Sequence, residues 1–179
     1  MSGAQAAWLA GGRLHLQHGP IDMIVQAEGP GRQAALTRAA RRFETLLQEL
    51  VADLPRLRQP DGAMPKGGVA RAMVQAVAPF SEFVTPMAAV AGAGAETVLA
   101  ALLDGSGVTK AYVNNGGDAA LFVGQGSFMR TAMADASCGA ITLRYGDGVG
   151  GIATSGWRGR SLSLGIADSV TVLASNAAM

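Results

Sequence analysis

The sequence predicts an α+β domain built on a largely antiparallel sheet packed with helices. Three observations predict it. Short alternating runs of strand type stand at both ends of the chain, and helical apolar periodicity lies between them. The third is the pairing of 25 glycines with only 5% aromatic residues, which calls for close backbone packing rather than a bulky aromatic core. A chain of 179 residues fits a single domain, 1–179, whose core needs no staples.

Leu14 and Leu16, then Ile21, Met23 and Val25, alternate on either side of Gly19-Pro20, the pattern of two strands joined in a hairpin. Gly29-Pro30-Gly31 stops the second. Over 33–54 the period changes: Ala35, Ala39, Phe43, Leu46, Leu47, Leu50 and Leu54 recur at three- and four-residue spacing, an amphipathic helix that Pro55 is expected to end. Residues 58–68, with their prolines and glycines, read as an exposed loop, and 69–77 as a short helix or strand. Thr85-Pro86 predicts a helix start, a capping hydroxyl followed by proline. The run 87–103 is apolar nearly all round, with Glu96 its only charge, so that helix should be buried on most sides. Gly92 and Gly94 each cost a helix about 1 kcal/mol relative to Ala, so something should gain from their missing side chains. Strands are then predicted over 108–114, 119–123, 128–133, 140–145, 151–154, 162–164 and 170–174. Ser175-Asn176 reads as a helix cap followed by one turn, which implies a C-terminal helical segment missing after Met179.

Composition excludes several function classes. A net charge of +1 with scattered Lys and Arg leaves no footprint for nucleic acid. The lone Cys138 makes no internal disulfide, and with two histidines it forms no familiar zinc spacing. No segment is read as a membrane span, and Gly11, Gly12 and Arg13 interrupt any signal peptide, so a cytoplasmic protein is expected.

Two segments can carry binding chemistry. Asn114-Asn115-Gly116-Gly117-Asp118 lies between predicted strands. It reads as a hairpin turn, or as a place where backbone amides approach a ligand flanked by polar side chains. The second runs from Ala153 to Ser161, where Thr154, Ser155, Gly156, Arg158 and Arg160 could hold a phosphate or another anion. Its plainer reading is a solvated basic loop with Trp157 covering a core edge. Gly146-Asp147-Gly148-Val149-Gly150-Gly151 matches the dinucleotide pattern G-x-G-x-x-G but is rejected, since 152–156 cannot open a long helix. His15, His18 and Asp22 need not converge and are read as structural, Cys138 as a small core residue. Ser155 lacks the G-x-S-x-G context of a hydrolase elbow. Catalytic residues are unknown and no metal ligands are assigned.

Four blocks resemble a known family: Arg13-Leu-His-Leu-Gln-His-Gly-Pro-Ile-Asp22, 83–94, 112–118 and 151–161. Together they resemble a bacterial and archaeal family related to ApbE, the FAD:protein FMN transferase, over nearly the whole chain from Arg13. The resemblance implies an ApbE-like, T-fold-related architecture and a pocket for FAD or FMN near Asn114 to Asp118 and Thr154 to Arg160. It also implies a magnesium ion and a flavin-related transferase. The chain departs from that pattern in three places. Ala91 stands where the motif carries lysine. No His-Ile-x-Asp-Pro segment follows Ser161. The family's magnesium-binding Asp and Thr stand on a helix after the next strand, which the resemblance finds absent or unseen by Met179. Three functions follow as expectations: a flavin- or nucleotide-binding protein of unestablished activity, a magnesium-dependent FMN transferase, and a non-enzymatic oligomeric or scaffold protein, with homo-oligomers formed by sheet-edge pairing.

Overall fold

The computed structural model describes residues 3–80, 84–132, 139–157 and 165–179. In chain order the strands are β1 (Gln5–Trp8), β2 (Leu14–His18), β3 (Ile21–Glu28), β4 (Lys110–Asn115), β5 (Asp118–Val123), β6 (Phe128–Ala132), β7 (Ala140–Arg144), β8 (Gly151–Ser155) and β9 (Val170–Ala174). The helices are α1 (Arg32–Leu57), α2 (Gly68–Val77) and α3 (Val90–Leu103). Seven strands form one sheet in the order β1-β2-β3-β4-β5-β8-β9, every neighbouring pair antiparallel. Among the described residues β6 and β7 pair only with each other, as a separate ribbon. The α+β class and the antiparallel sheet are as the sequence predicts.

Strand alternation gives the sheet two unlike faces. Leu14 and Leu16 of β2, Met23, Val25 and Ala27 of β3, Ala111 and Val113 of β4 and Ala120 of β5 are buried in one core with the three helices. α1 contributes Ala35, Ala39, Phe43, Leu46 and Leu50 of the predicted stripe together with Leu36, while Leu47 and Leu54 are only partly buried. Each such large side chain contributes about 1.5–3 kcal/mol on burial. α3 is the inner helix, and the Arg38 guanidinium donates to the last-turn carbonyls of Ala101 and Leu102 at 3.1 and 2.8 Å. A cation at that end satisfies orphan acceptors and complements the helix dipole.

The glycines of α3 do have a beneficiary. A Cβ on Gly92 would stand 2.5 Å from the carbonyl carbon of Ala177 and 2.9 Å from the Ala178 nitrogen. The chain after β9 lies directly on α3 there. It is also pressed from the sheet side, since side chains on Gly150 and Gly151 would collide with the backbone of 175–177. Within this slot the Glu96 carboxylate accepts the Ala177 N–H at 2.7 Å. Burial raises the Glu96 carboxyl above its ordinary value, and the Ala177 hydrogen bond draws it partly back.

Four expectations need correction. Pro55 does not end α1, which runs to Leu57. In the last turn the proline forfeits only the bond to the carbonyl of Val51, on the solvent side, while fully buried Leu57 anchors the turn. The Thr85 hydroxyl caps nothing. Its carbonyl accepts from Ala88 N–H at 3.0 Å, and Pro86 opens a 3-10 turn, Pro86–Ala89, that leads into α3. The stretch Pro86–Leu103, contrary to the sequence reading, is long and apolar enough to cross a membrane by length and composition alone; half of it is buried inside the fold, as a core helix. Residues 175–179 form no helix, although Asn176 Oδ1 does accept the N–H groups of Ala178 and Met179 at 3.1 and 3.0 Å. The strand predicted over 162–164 lies outside the described residues.

Candidate functional site

The second face of the sheet is only partly covered. The β6–β7 ribbon folds over it, packing Met129 and Leu143 on Leu121 and Ile152, with Tyr112, Ala119, Val123, Ile141 and Val149 around them. Ribbon and sheet leave a cleft of about 440 Å³ between them. Its floor follows from register. Tyr112 pairs with Leu121, Asn114 with Ala119, Ala119 with Ile152, and Thr154 with Thr171, so all seven side chains share one face. Leu121, Ala119 and Ile152 line its apolar part, Leu121 and Ile152 largely under the ribbon, while Asn114, Thr154 and Thr171 form a polar end. The two threonine hydroxyls are 3.0 Å apart and hydrogen-bonded. Tyr112 O–H donates to Gln26 Oε1 at 3.2 Å, and Thr131 enters from the ribbon on the side of Met129, while Arg130 between them alternates to the ribbon's exposed face.

The two segments singled out in the sequence meet at this cleft in part. Asn114, Gly117 and Thr154 line it. Asn115, one residue on, points to the helical face and donates to the Ala91 carbonyl at 3.0 Å. Gly116-Gly117 is the two-residue turn of the β4–β5 hairpin, both glycines at positive φ (65° and 117°), with the Gly117 N–H held by Asn114 Oδ1 at 3.1 Å. Asp118 pairs with Asn115 in the register and therefore sits on its side of the sheet, outside the cleft. Burial raises its carboxyl, offset in part by a hydrogen bond from the Thr154 backbone. Ser155 is exposed at the end of β8; Gly156 is buried, where a Cβ would strike the Asp168 carbonyl. Arg158 and Arg160 lie outside the described residues, as does Cys138. Trp157 is half exposed, its indole N–H donating to Asp168 Oδ1 at 3.0 Å.

Gly146 to Gly150 lie in the β7–β8 connection and open no helix, in line with rejection of the dinucleotide pattern. His15 and Asp22, by contrast, do converge, with Nε2 and Oδ2 3.0 Å apart across β2 and β3. They are diagonal neighbours on the open face, a contact the strand argument overlooked. His18 takes the opposite side, buried against Phe43, and its Nδ1 has no hydrogen-bond partner among the described residues. Among the described residues no group of three or more His, Cys, Asp or Glu could hold a metal ion.

Sequence reasoning missed Tyr112, Met129, Thr131, Ile141 and Thr171. Tyr112 was within reach, because it stands two residues before Asn114 in a strand and must share its face. The ribbon residues carried no such signal, since nothing in their spacing tells which face of the sheet a detached hairpin will cover.

The chain belongs to the family described as AbpE bacteria, whose model matches residues 6–179. This corrects the resemblance drawn from the four sequence blocks. The matched family is a different one from ApbE, and its description states no activity, so FMN transfer and the ApbE-like, T-fold-related kinship do not come with membership. No curated protein matches the chain.

Proposed function

We propose that this protein binds a flavin or a related nucleotide, its ring laid on the sheet beneath the β6–β7 ribbon. The observation that carries the reading is the cleft itself: about 440 Å³, lined by apolar Leu121, Ala119 and Ile152 with hydrogen-bonding side chains at the end. That volume falls in the range of roughly 300–1,000 Å³ common for small-molecule sites, which pair an apolar lining with a few placed polar groups. The methyl of Ala119 leaves room for a planar ring to approach the strand. Asn114 offers both a donor and an acceptor to the ring edge, and the Thr154–Thr171 pair offers hydroxyls that can turn to suit either. Titration with FAD and FMN, with and without magnesium, followed by flavin fluorescence, tests the reading. Binding should be detectable and should disappear in Ala119→Trp, which fills the floor; absence of binding to the native protein at high micromolar flavin would sink it.

A second reading, an oligomeric protein without catalysis, has one observation in its favour. β9 ends the sheet among the described residues, and Val170, Val172 and Leu173 on it are about half exposed. Unpaired edges with apolar side chains invite pairing with another copy. Sedimentation equilibrium of the native protein and of Val172→Lys decides: a dimer that becomes monomeric supports this reading, and a native monomer removes it.

A further inference from the structure

We infer that His15, Asp22 and Gln17, on the open face of the sheet beside the cleft, hold the hydroxyl groups of a sugar or polyol arm on the ligand. The inference rests on the ligand reading above. It adds the chemical class of the arm and the direction in which it leaves the ring.

The direction follows from register. Ala119 pairs with Asn114, Asn114 with Ile24, and Ile24 with His15, so one row of side chains runs from the cleft onto β2, all on the same face. Neighbouring strands stand about 4.8 Å apart, which puts His15 about 10 Å from Asn114 with Ile24 between them. Ile24 and His15 are both partly exposed. Gln17 pairs with Asp22, and alternation puts both on the face of His15, so the three form a cluster at the end of that row.

The class follows from which atoms are already engaged. His15 Nε2 lies 3.0 Å from Asp22 Oδ2, so the carboxylate fixes the ring proton on Nε2 and leaves Nδ1 as an acceptor. Among the described residues that Nδ1 has no partner, and neither has the other oxygen of exposed Asp22. Gln17 Nε2 donates to the Gly19 carbonyl at 2.8 Å, which turns its Oε1 the other way. The cluster therefore presents acceptors, one of them anionic, and neither β2 nor β3 contains a lysine or arginine. Such a set receives O–H donors and disfavours phosphate. It suits the hydroxyls of a ribityl chain or a ribose, whose carbons can lie along Ile24.

The test compares riboflavin with lumiflavin, which carries the same ring and a methyl group in place of the ribityl chain. Both are titrated by flavin fluorescence into native protein, His15→Ala, Asp22→Ala and Gln17→Leu. Native protein should bind riboflavin about three- to tenfold tighter than lumiflavin, the contribution of about one net hydrogen bond. His15→Ala and Asp22→Ala should each remove most of that difference by weakening riboflavin. Gln17→Leu leaves the His15–Asp22 pair intact and should weaken riboflavin in the same direction. Lumiflavin should stay within about twofold in all three variants, which also shows that the cleft remains formed. Equal affinity of native protein for the two flavins, or riboflavin binding unmoved by the variants, overturns the hydroxyl site while leaving flavin binding in place. Failure of the native protein to bind either flavin overturns both.

Discussion

Two glycines two residues apart in α3 provide a controlled comparison. Gly92→Ala and Gly94→Ala each bring the same helix-propensity gain, about 1 kcal/mol. Their surroundings differ. At Gly92 the new methyl would stand 2.5 Å from the Ala177 carbonyl carbon, with the oxygen nearer still. To reach ordinary contact at 3.4 Å the 176–178 segment must retreat by at least about 0.9 Å, and it is backbone, held from behind by Gly150 and Gly151. That movement breaks the 2.7 Å bond from Ala177 N–H to Glu96, of a kind that contributes about 1.5–3 kcal/mol, and lifts the buried Ala177 methyl, about 0.8 kcal/mol. After the propensity gain, Gly92→Ala should lose about 1–3 kcal/mol. At Gly94 the nearest atoms are the Asn115 amide nitrogen and the Met23 methyl, both at 3.3 Å and both ends of flexible side chains. That variant should be neutral or gain up to about 1 kcal/mol. Urea unfolding reads the difference directly, and in thermal melts about 2 kcal/mol corresponds to roughly 4–8 °C for a chain of this size. Equal stability of the two variants would refute the claim that the C-terminal segment is clamped against α3.

Further outcomes follow from single residues. Gly117→Ala meets no atom within 4 Å but must hold φ +117°, so it should cost about 1–3 kcal/mol through strain alone, measured by the same unfolding curves. Glu96 binds its proton more tightly folded than unfolded. Its contribution is therefore fully present below its ordinary value of 4.5 and fades as pH rises through the raised folded value; Glu96→Gln should flatten that decline in a stability–pH profile. His18→Leu removes a buried nitrogen with no partner among the described residues and should leave stability unchanged or raise it by about 1 kcal/mol, whereas a clear loss in denaturant midpoint would show that the ring is bonded after all.

Much of the fold was legible because its signals are local. The spacing of Phe43, Leu46 and Leu50 writes α1, the alternation of Met23 and Val25 writes β3, and Val170 to Ala174 is a strand by both readings. The failures are also physical. Pro55 misled because a proline in the last turn loses one hydrogen bond, which buried Leu57 outweighs. The contact of His15 with Asp22 was missed because diagonal reach across strands depends on register, not on spacing within either strand.

Apart from β1, the helical choice for α2 and the absence of a helix after Ser175, the sequence by itself determined most of the strands, the helices α1 and α3, the turns between them, and that glycine must stand where backbones come close. Those outcomes depend on neighbours within a turn or a strand length. Only the tertiary structure decided that Asn114 faces a cleft while Asn115 faces α3, and that the β6–β7 ribbon closes over the open face to pack Met129 on Leu121 and Ile152. These depend on register and on packing between residues distant in the chain, where burying one face of a ribbon selects its partner.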